Sequence, residues 1–372
     1  MPAYLDHAAT TPLRPEALEA MLPFLTEHFG NPSGAHRVSR TARRAVDDAR
    51  DVVAAGLGCE PGEVVFTGGG TEADNLALAG AAAARPGRVL CSAVEHHAVL
   101  HAASALGGAT VPVGPDGVLD LGALRGLLSD DVSVVSVMLA NNEVGTLQPL
   151  AAVLAAVRER VPAAAVHTDA VAAFPWVDVA AEAAGADLVA VSAHKFGGPK
   201  GVGALAVRRP AVVHPIQHGG GQERGRRSGT HNVAGIVGMA AAMAATVASR
   251  ATEVTRVGAL RDRLADGLLA TVPGTVETGH RPGRVAGNCH LRFAGVESEA
   301  LLVLLDDAGV FAAAGSACAS GALEPSHVLT AMGVSRAEAR GSLRLSLGTT
   351  TTEADVDLAL AAVAAAVSQL RN

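Results

Sequence analysis

Short β-branched runs alternate with alanine-rich stretches through the first two thirds of the chain, and this alternation limits the fold more than any other feature. EVVFT (63–67), RVLCSA (88–93), VSVVSVMLA (132–140), AAVHTDA (164–170) and DLVAVSAH (187–194) have the length and side chains of buried strands, and the segments between them are ordinary helix formers. The rhythm predicts an α/β fold built on a mostly parallel, doubly wound sheet with helices on both faces. VGALAVR (202–208) follows Lys195 too closely for a crossover helix, so it is expected to run antiparallel. From Asn232 to about Leu269 the pattern is helical and lacks proline, which predicts one long helix or a helix pair. The remainder reads as a smaller α+β unit: strand NCHLRF (288–293), helix SEALLVLLDDAG, a small-residue loop, helix SHVLTAMG, strand SLRLSL (342–347) and a last helix from about Glu353. At 372 residues the chain is longer than one usual domain. Two are expected, a large one over 13–250 and a small one over 1–12 and 251–372.

Aromatic residues make up only 2% of the chain, so the core must be built from Ala, Val and Leu. A net charge of -7 leaves no broad basic face for nucleic acid or an anionic membrane, and Arg224, Arg226 and Arg227 are too few to change that. Cys59, Cys91, Cys289 and Cys318 lie far apart, without a C-x-x-C pair, so neither a disulfide framework nor a structural metal is expected and a reducing, cytoplasmic setting fits. MPAYLDHAATTP has neither the basic nor the apolar stretch of a signal peptide. The apolar run from Val233 to Ser249 is shorter than the roughly 20 residues a membrane span needs, and reads as a packed helix.

In a parallel sheet, ligands bind beyond the carboxyl ends of the strands, and the loops there hold unusual residues. Gly68-Gly69-Gly70-Thr71-Glu72 follows EVVFT and opens a helix, where free N–H groups can receive an anion. By itself this is as often plain turn chemistry. Asp169 stands near the end of AAVHTDA, where a carboxylate needs a cationic partner. Lys195 follows DLVAVSAH and precedes FGGPKGVG, small residues that leave room for a cofactor; most single lysines are surface charges, but few follow a buried strand in this way. Lysine, aspartate and anion cradle together form the minimal site for pyridoxal 5'-phosphate (PLP): covalent anchor, partner for the ring nitrogen and phosphate anchor.

His96 also follows a strand, where its imidazole can stack on a flat ring or merely start a helix. His97 and His101 share a helix face but lack a third metal ligand nearby. Ser192, His194 and Asp169 could suggest a hydrolytic triad, yet no G-x-S-x-G elbow accompanies them. Cys318 lies among small residues in AAAGSACASGALEPS, the setting of an exposed nucleophilic thiolate, whereas the other three cysteines read as inert core residues. Arg344 sits in the apolar strand SLRLSL and requires an anion, either a substrate carboxylate or a structural partner.

With YLDHAATTP, FGNPSGAH, GGGTEADNLAL, EHHAVL, NNEVGTLQP, HTDA, SAHKFGGPKGVGAL, HGGGQERGRRSGT, GSACASGALEPSHVL and LRLSLG in that order, the chain resembles the cysteine desulfurases, class V aminotransferase-like members of the fold type I PLP enzymes. The resemblance implies that Lys195 forms the internal aldimine, Asp169 pairs with the pyridine nitrogen and His96 stacks on the ring. It implies phosphate contacts from Gly70, Thr71, Ser192 and His194, with Thr230 coming from the partner subunit of a homodimer. Asn142 and Arg344 would orient the substrate carboxylate, with Asn142 also beside the cofactor. Lys195 would remove the α-proton of L-cysteine and Cys318 would take its sulfur as a persulfide. No resident metal is implied, only a transient Fe–S contact at Cys318. Ala172 replaces a glutamine that contacts the cofactor in many members. The C-terminus, Asn372, comes soon after the last helix, without the tail that iron–sulfur-assembly members use for docking. The expected sulfur acceptor is thus an Fe–S scaffold, a tRNA thiolation enzyme, a DNA phosphorothioation system or another carrier. A selenocysteine lyase or another β-eliminating or aminotransferring enzyme would use the same lysine, aspartate and arginine, and a non-catalytic PLP-binding adaptor would keep the cofactor site alone.

Overall fold

In the computed structural model, residues 2–315 and 325–372 are described. The strands are β1 (Ala3–Tyr4), β2 (Val64–Thr67), β3 (Arg88–Ser92), β4 (Ala109–Val111), β5 (Val132–Ser136), β6 (Ala165–Asp169), β7 (Leu188–Ser192), β8 (Gly203–Val207), β9 (Thr275–Glu277), β10 (Asn288–Phe293), β11 (Val310–Phe311) and β12 (Ser342–Ser346). Seven of them form one sheet in the order β2-β8-β7-β6-β5-β3-β4. β8 runs antiparallel to both neighbours, as the missing crossover requires, and the other pairs are parallel.

Side-chain alternation explains why both faces are covered. Val64, Phe66, Val189, Val191, Ala204 and Ala206 enter one hydrophobic cluster, whereas Val65, Leu188, Ala190, Leu205 and Val207 enter another on the opposite face. The strand expected over 132–140 ends at Ser136; beyond it the chain stays extended and turns into the loop that carries Asn141 and Asn142.

The single helix Val233–Thr271 links this sheet to the rest of the chain. Its first half buries Ile236, Met239, Ala242 and Met243 in the large-sheet core, and its second half buries Val257, Leu260, Leu264 and Leu268 in a separate cluster with β10 and β12. The boundary expected at residue 250 therefore falls inside a continuous helix. β10 is the centre of a three-stranded antiparallel sheet, between β9 and β12. At the N-terminus, β1 pairs with β11 and Asp6 bridges Ser346, which carries Ala8 and Ala9 over the carboxyl ends of the large sheet.

Candidate active site

The carboxyl ends of β2, β3, β6 and β7 surround a cleft of about 330 Å³. Gly69 precedes the helix Gly70–Ala84 with φ +153° and offers no side-chain cap, so the first helical N–H groups remain open. A Cβ on Gly70 would lie 2.9 Å from Val171 Cγ2, which shows how closely the backbone approaches the cleft wall. Ser192 ends β7, followed by His194 and Lys195 in a short 3-10 turn. Lys195 Nζ donates to the carbonyls of Ala8 at 2.5 Å and Ala9 at 2.9 Å, which draws the N-terminal segment across the opening.

Asp169 closes the floor. It is only 5% exposed, and its Oδ1 accepts the Val171 N–H at 2.8 Å. Burial raises its pKa to about 6, against the opposing pull of the Val171 N–H and of Lys195. Asp74 and Glu95 lie in the same acidic region and are pushed well above the usual carboxylate range, chiefly by burial. His167, lowered to about 3 by burial, is neutral; its Nε2 stands 3.5 Å from Asp74 Oδ1 and its Nδ1 meets Ser136 Oγ at 2.8 Å. The floor is thus rich in carboxylates and poor in cations, and a ligand bringing a positive N–H would answer Asp169.

His96 caps the helix His97–Ala105, its Nδ1 accepting the Ala98 N–H at 3.1 Å. Burial first, then Lys195, lowers its pKa to about 4, so the ring is neutral and carries its proton on Nε2. His194 is lowered to about 4, again by burial and Lys195, and its Nδ1 contacts Thr10 Oγ1 at 3.2 Å. That contact ties His194 to the N-terminal segment.

One family model, described as Aminotransferase class-V, matches residues 3–359. The chain belongs to the class V aminotransferase family. It is similar to the IscS-like cysteine desulfurase of Mycobacterium tuberculosis, 48% identical over 364 residues that cover 94% of this chain and 92% of that protein. A solved structure described as a NifS-like protein shares its fold with a TM-score of 0.93 at 36% identity, covering 99% of this chain and 100% of the other. A structure described as SspA in complex with cysteine has a TM-score of 0.81 at 29% identity and covers 94% and 100%.

In this member of the class V aminotransferase family, Gly70, Thr71, His96, Asn142, Asp169, Ser192, His194, Lys195 and Arg344 all line the one cleft. Arg344 is almost wholly buried; it donates to Asp6 Oδ1 at 2.8 Å, to Gly315 O at 3.0 Å and to Asn142 O at 3.2 Å, while Nε has no hydrogen-bond partner among the described residues. The arginine thus has a structural anion, Asp6, as well as a place in the cleft. Thr230 is exposed and lies outside the cleft lining. Cys318 lies outside the described residues. Burial lifts the thiols of Cys91 and Cys289 to about 12 and that of half-buried Cys59 to about 11.

Several residues of the class V cleft escaped the sequence reading. Asp74 stands one helical turn after Gly70, so i, i+4 spacing could have found it. Glu143 also lines the cleft, and its Oε2 accepts from Ser326 Oγ at 2.5 Å. His327 packs 4.5 Å from His97, which also stacks 5.0 Å from His101, so the expected helix-face histidines form a ring cluster with a remote third. Below the loop holding Thr230, Arg50 grips Glu223 through two hydrogen bonds of 2.7 and 2.8 Å. His231 contacts the same carboxylate at 2.7 Å, and Glu223 is held at about 2 against the opposing effect of burial. Glu223 and Arg224 have φ of 50° and 58°, a left-handed backbone that this buried pair holds in place.

Proposed function

We propose that this class V aminotransferase-family protein is a PLP-dependent cysteine desulfurase, which takes sulfur from L-cysteine, releases L-alanine and holds the sulfur as a persulfide on Cys318. The observation that carries the reading is the convergence of Lys195, buried Asp169 and the uncapped Gly70 helix on one cleft. These residues fit PLP. Asp169 has the buried carboxylate to meet a protonated ring nitrogen, and the open N–H groups at Gly70 and Thr71, with Ser192 and His194, suit its phosphate. When bound, PLP supplies an electron sink for the amino-acid carbon framework.

The chain's own groups do the rest. Lys195 tethers the cofactor and moves the substrate α-proton at Nζ. Neutral His96 would hold the face of the bound ring and can exchange a proton at Nε2. Asn142 and Arg344 orient the substrate carboxylate. Cys318, as thiolate, attacks the cysteine sulfur; an S–S bond forms, the Cβ–S bond breaks with its electron pair left on carbon, and protons complete alanine. Thr230, on the loop held by Arg50 and Glu223, reaches the phosphate of a second copy in a homodimer. The sulfur passes to an Fe–S scaffold, a tRNA thiolation enzyme or another carrier in the cytoplasm.

Purified protein is therefore expected to be yellow and to form alanine from L-cysteine with a thiol reductant present. A Lys195→Ala variant should lose turnover by on the order of 10²–10⁴-fold or more. A colourless protein that takes up no added PLP would overturn the cofactor assignment, and a yellow protein that makes no alanine would favour the adaptor.

A further inference from the structure

A second cavity, about 60 Å³, adjoins the cleft and shares Ala8, Asn142, Ala172 and Lys195 with it. That is room for about four waters or one small ion at roughly 15 Å³ each. Its polar lining is unsatisfied in three places. Arg250 Nε and Nη2 are buried without a hydrogen-bond partner among the described residues, and so are His7 Nε2 and Asn288 Oδ1. His7 and Asn288 are 6% and 3% exposed, so bulk water does not serve them.

Arg250 decides the chemistry. Its guanidinium lies 5.1 Å from the centre of the Phe174 ring; Asp178 is near enough to act on its charge, but no described carboxylate lies within ion-pair distance of it. Glu253, which also lines the cavity, is taken by Arg256 at 2.7 Å. Nε–H and Nη2–H are the parallel, side-on donors of a guanidinium, the fork that accepts the two oxygens of a carboxylate. The cavity's walls leave little slack: a Cβ on Gly287 would lie 2.3 Å from Trp176, and one on Gly348 2.3 Å from His7. Among acceptor ligands this selects small ones.

We infer that this cavity is a binding site for a small carboxylate, held side-on by Arg250 with His7 Nε2–H as a further donor, while Asn288 Oδ1 accepts from a water beside it. The site adjoins the cleft and shares Lys195 and Asn142 with it, but it does not depend on the desulfurase reading. It places a negative charge next to Lys195 from outside the cofactor cleft.

Trp176 lines the cavity and is the only tryptophan in the chain, so it reports directly on occupancy. Formate titrated into the holoenzyme should give a saturable change in Trp176 fluorescence, and Arg250→Gln should weaken it at least tenfold. Arg250→Lys, which keeps the charge but loses the fork, should fall between the two. A change that is absent, does not saturate, or persists in Arg250→Gln and disappears in Arg344→Gln would overturn the proposal, the last because it places formate in the cleft. Should the Arg250 variants fail to fold, bromide-soaked crystals of the wild-type holoenzyme decide. An anomalous peak beside Arg250 is expected, and a cavity holding only water would sink the idea.

Discussion

Asp169 shows how a residue suited to a ligand costs the empty protein stability. Its folded pKa of about 6 lies above the ordinary carboxylate value, so the folded chain holds its proton longer than the unfolded chain does. The penalty is absent below about pH 4, grows as pH rises through 6 and is complete above it. Cofactor-free Asp169→Asn should therefore be more stable than wild type at pH 8, by on the order of 1–3 kcal/mol, with the difference vanishing near pH 4. Thermal melts of the cofactor-free proteins at the two pH values check this, and equal shifts at both would contradict it. The same variant should lose PLP on dialysis faster than wild type. Asp169 and Lys195 were legible in sequence because each follows a buried strand. Asp74 and Glu95 were not, since their importance lies in shared burial with Asp169 across different elements.

At the level of elements, the anion cradle depends on how tightly β8 packs under it. A Cβ on Gly203 would meet only backbone: Gly69 C and Val191 O at 2.7 Å and Gly69 Cα at 2.9 Å. Gly203→Ala must push the Gly68–Gly70 turn away from the sheet, at a cost of about 1–3 kcal/mol. PLP affinity should fall with it, which equilibrium dialysis measures; unchanged affinity would mean that the turn does not hold the phosphate. The strands of the large sheet were readable because β2, β5, β7 and β8 are buried on both faces and rich in Val, Ala and Leu. β1, β4, β9 and β11 were missed because they are two or three residues long. Their order comes from partners elsewhere: β1 pairs with β11 some three hundred positions away, and no local pattern announces that. Arg344's ion pair with Asp6 was hidden for the same reason.

For the molecule as a whole, we propose that the two packing units are the domains 13–250 and 1–12 with 251–372, coupled by the helix Val233–Thr271. The exposed Ala251 lies where that helix passes from one cluster to the other. Ala251→Pro removes a helical hydrogen bond and clashes with the preceding turn, costing about 3 kcal/mol. Calorimetry should then resolve two unfolding transitions where wild type is expected to give one, and a single unshifted transition would deny the coupling. The same arrangement joins β12, with Arg344, to the strand ends that hold Asp169 and Lys195, so the proposed substrate and cofactor residues come from different packing units. The sulfur-accepting claim rests on Cys318. Mixing the holoenzyme with L-cysteine, trapping thiol-bound sulfur and mapping it by mass spectrometry tests that claim most directly: one added sulfur on Cys318 with an equal yield of alanine is predicted, and none from Cys318→Ala, which should stay yellow. Sulfide release by Cys318→Ala at the wild-type rate would contradict it.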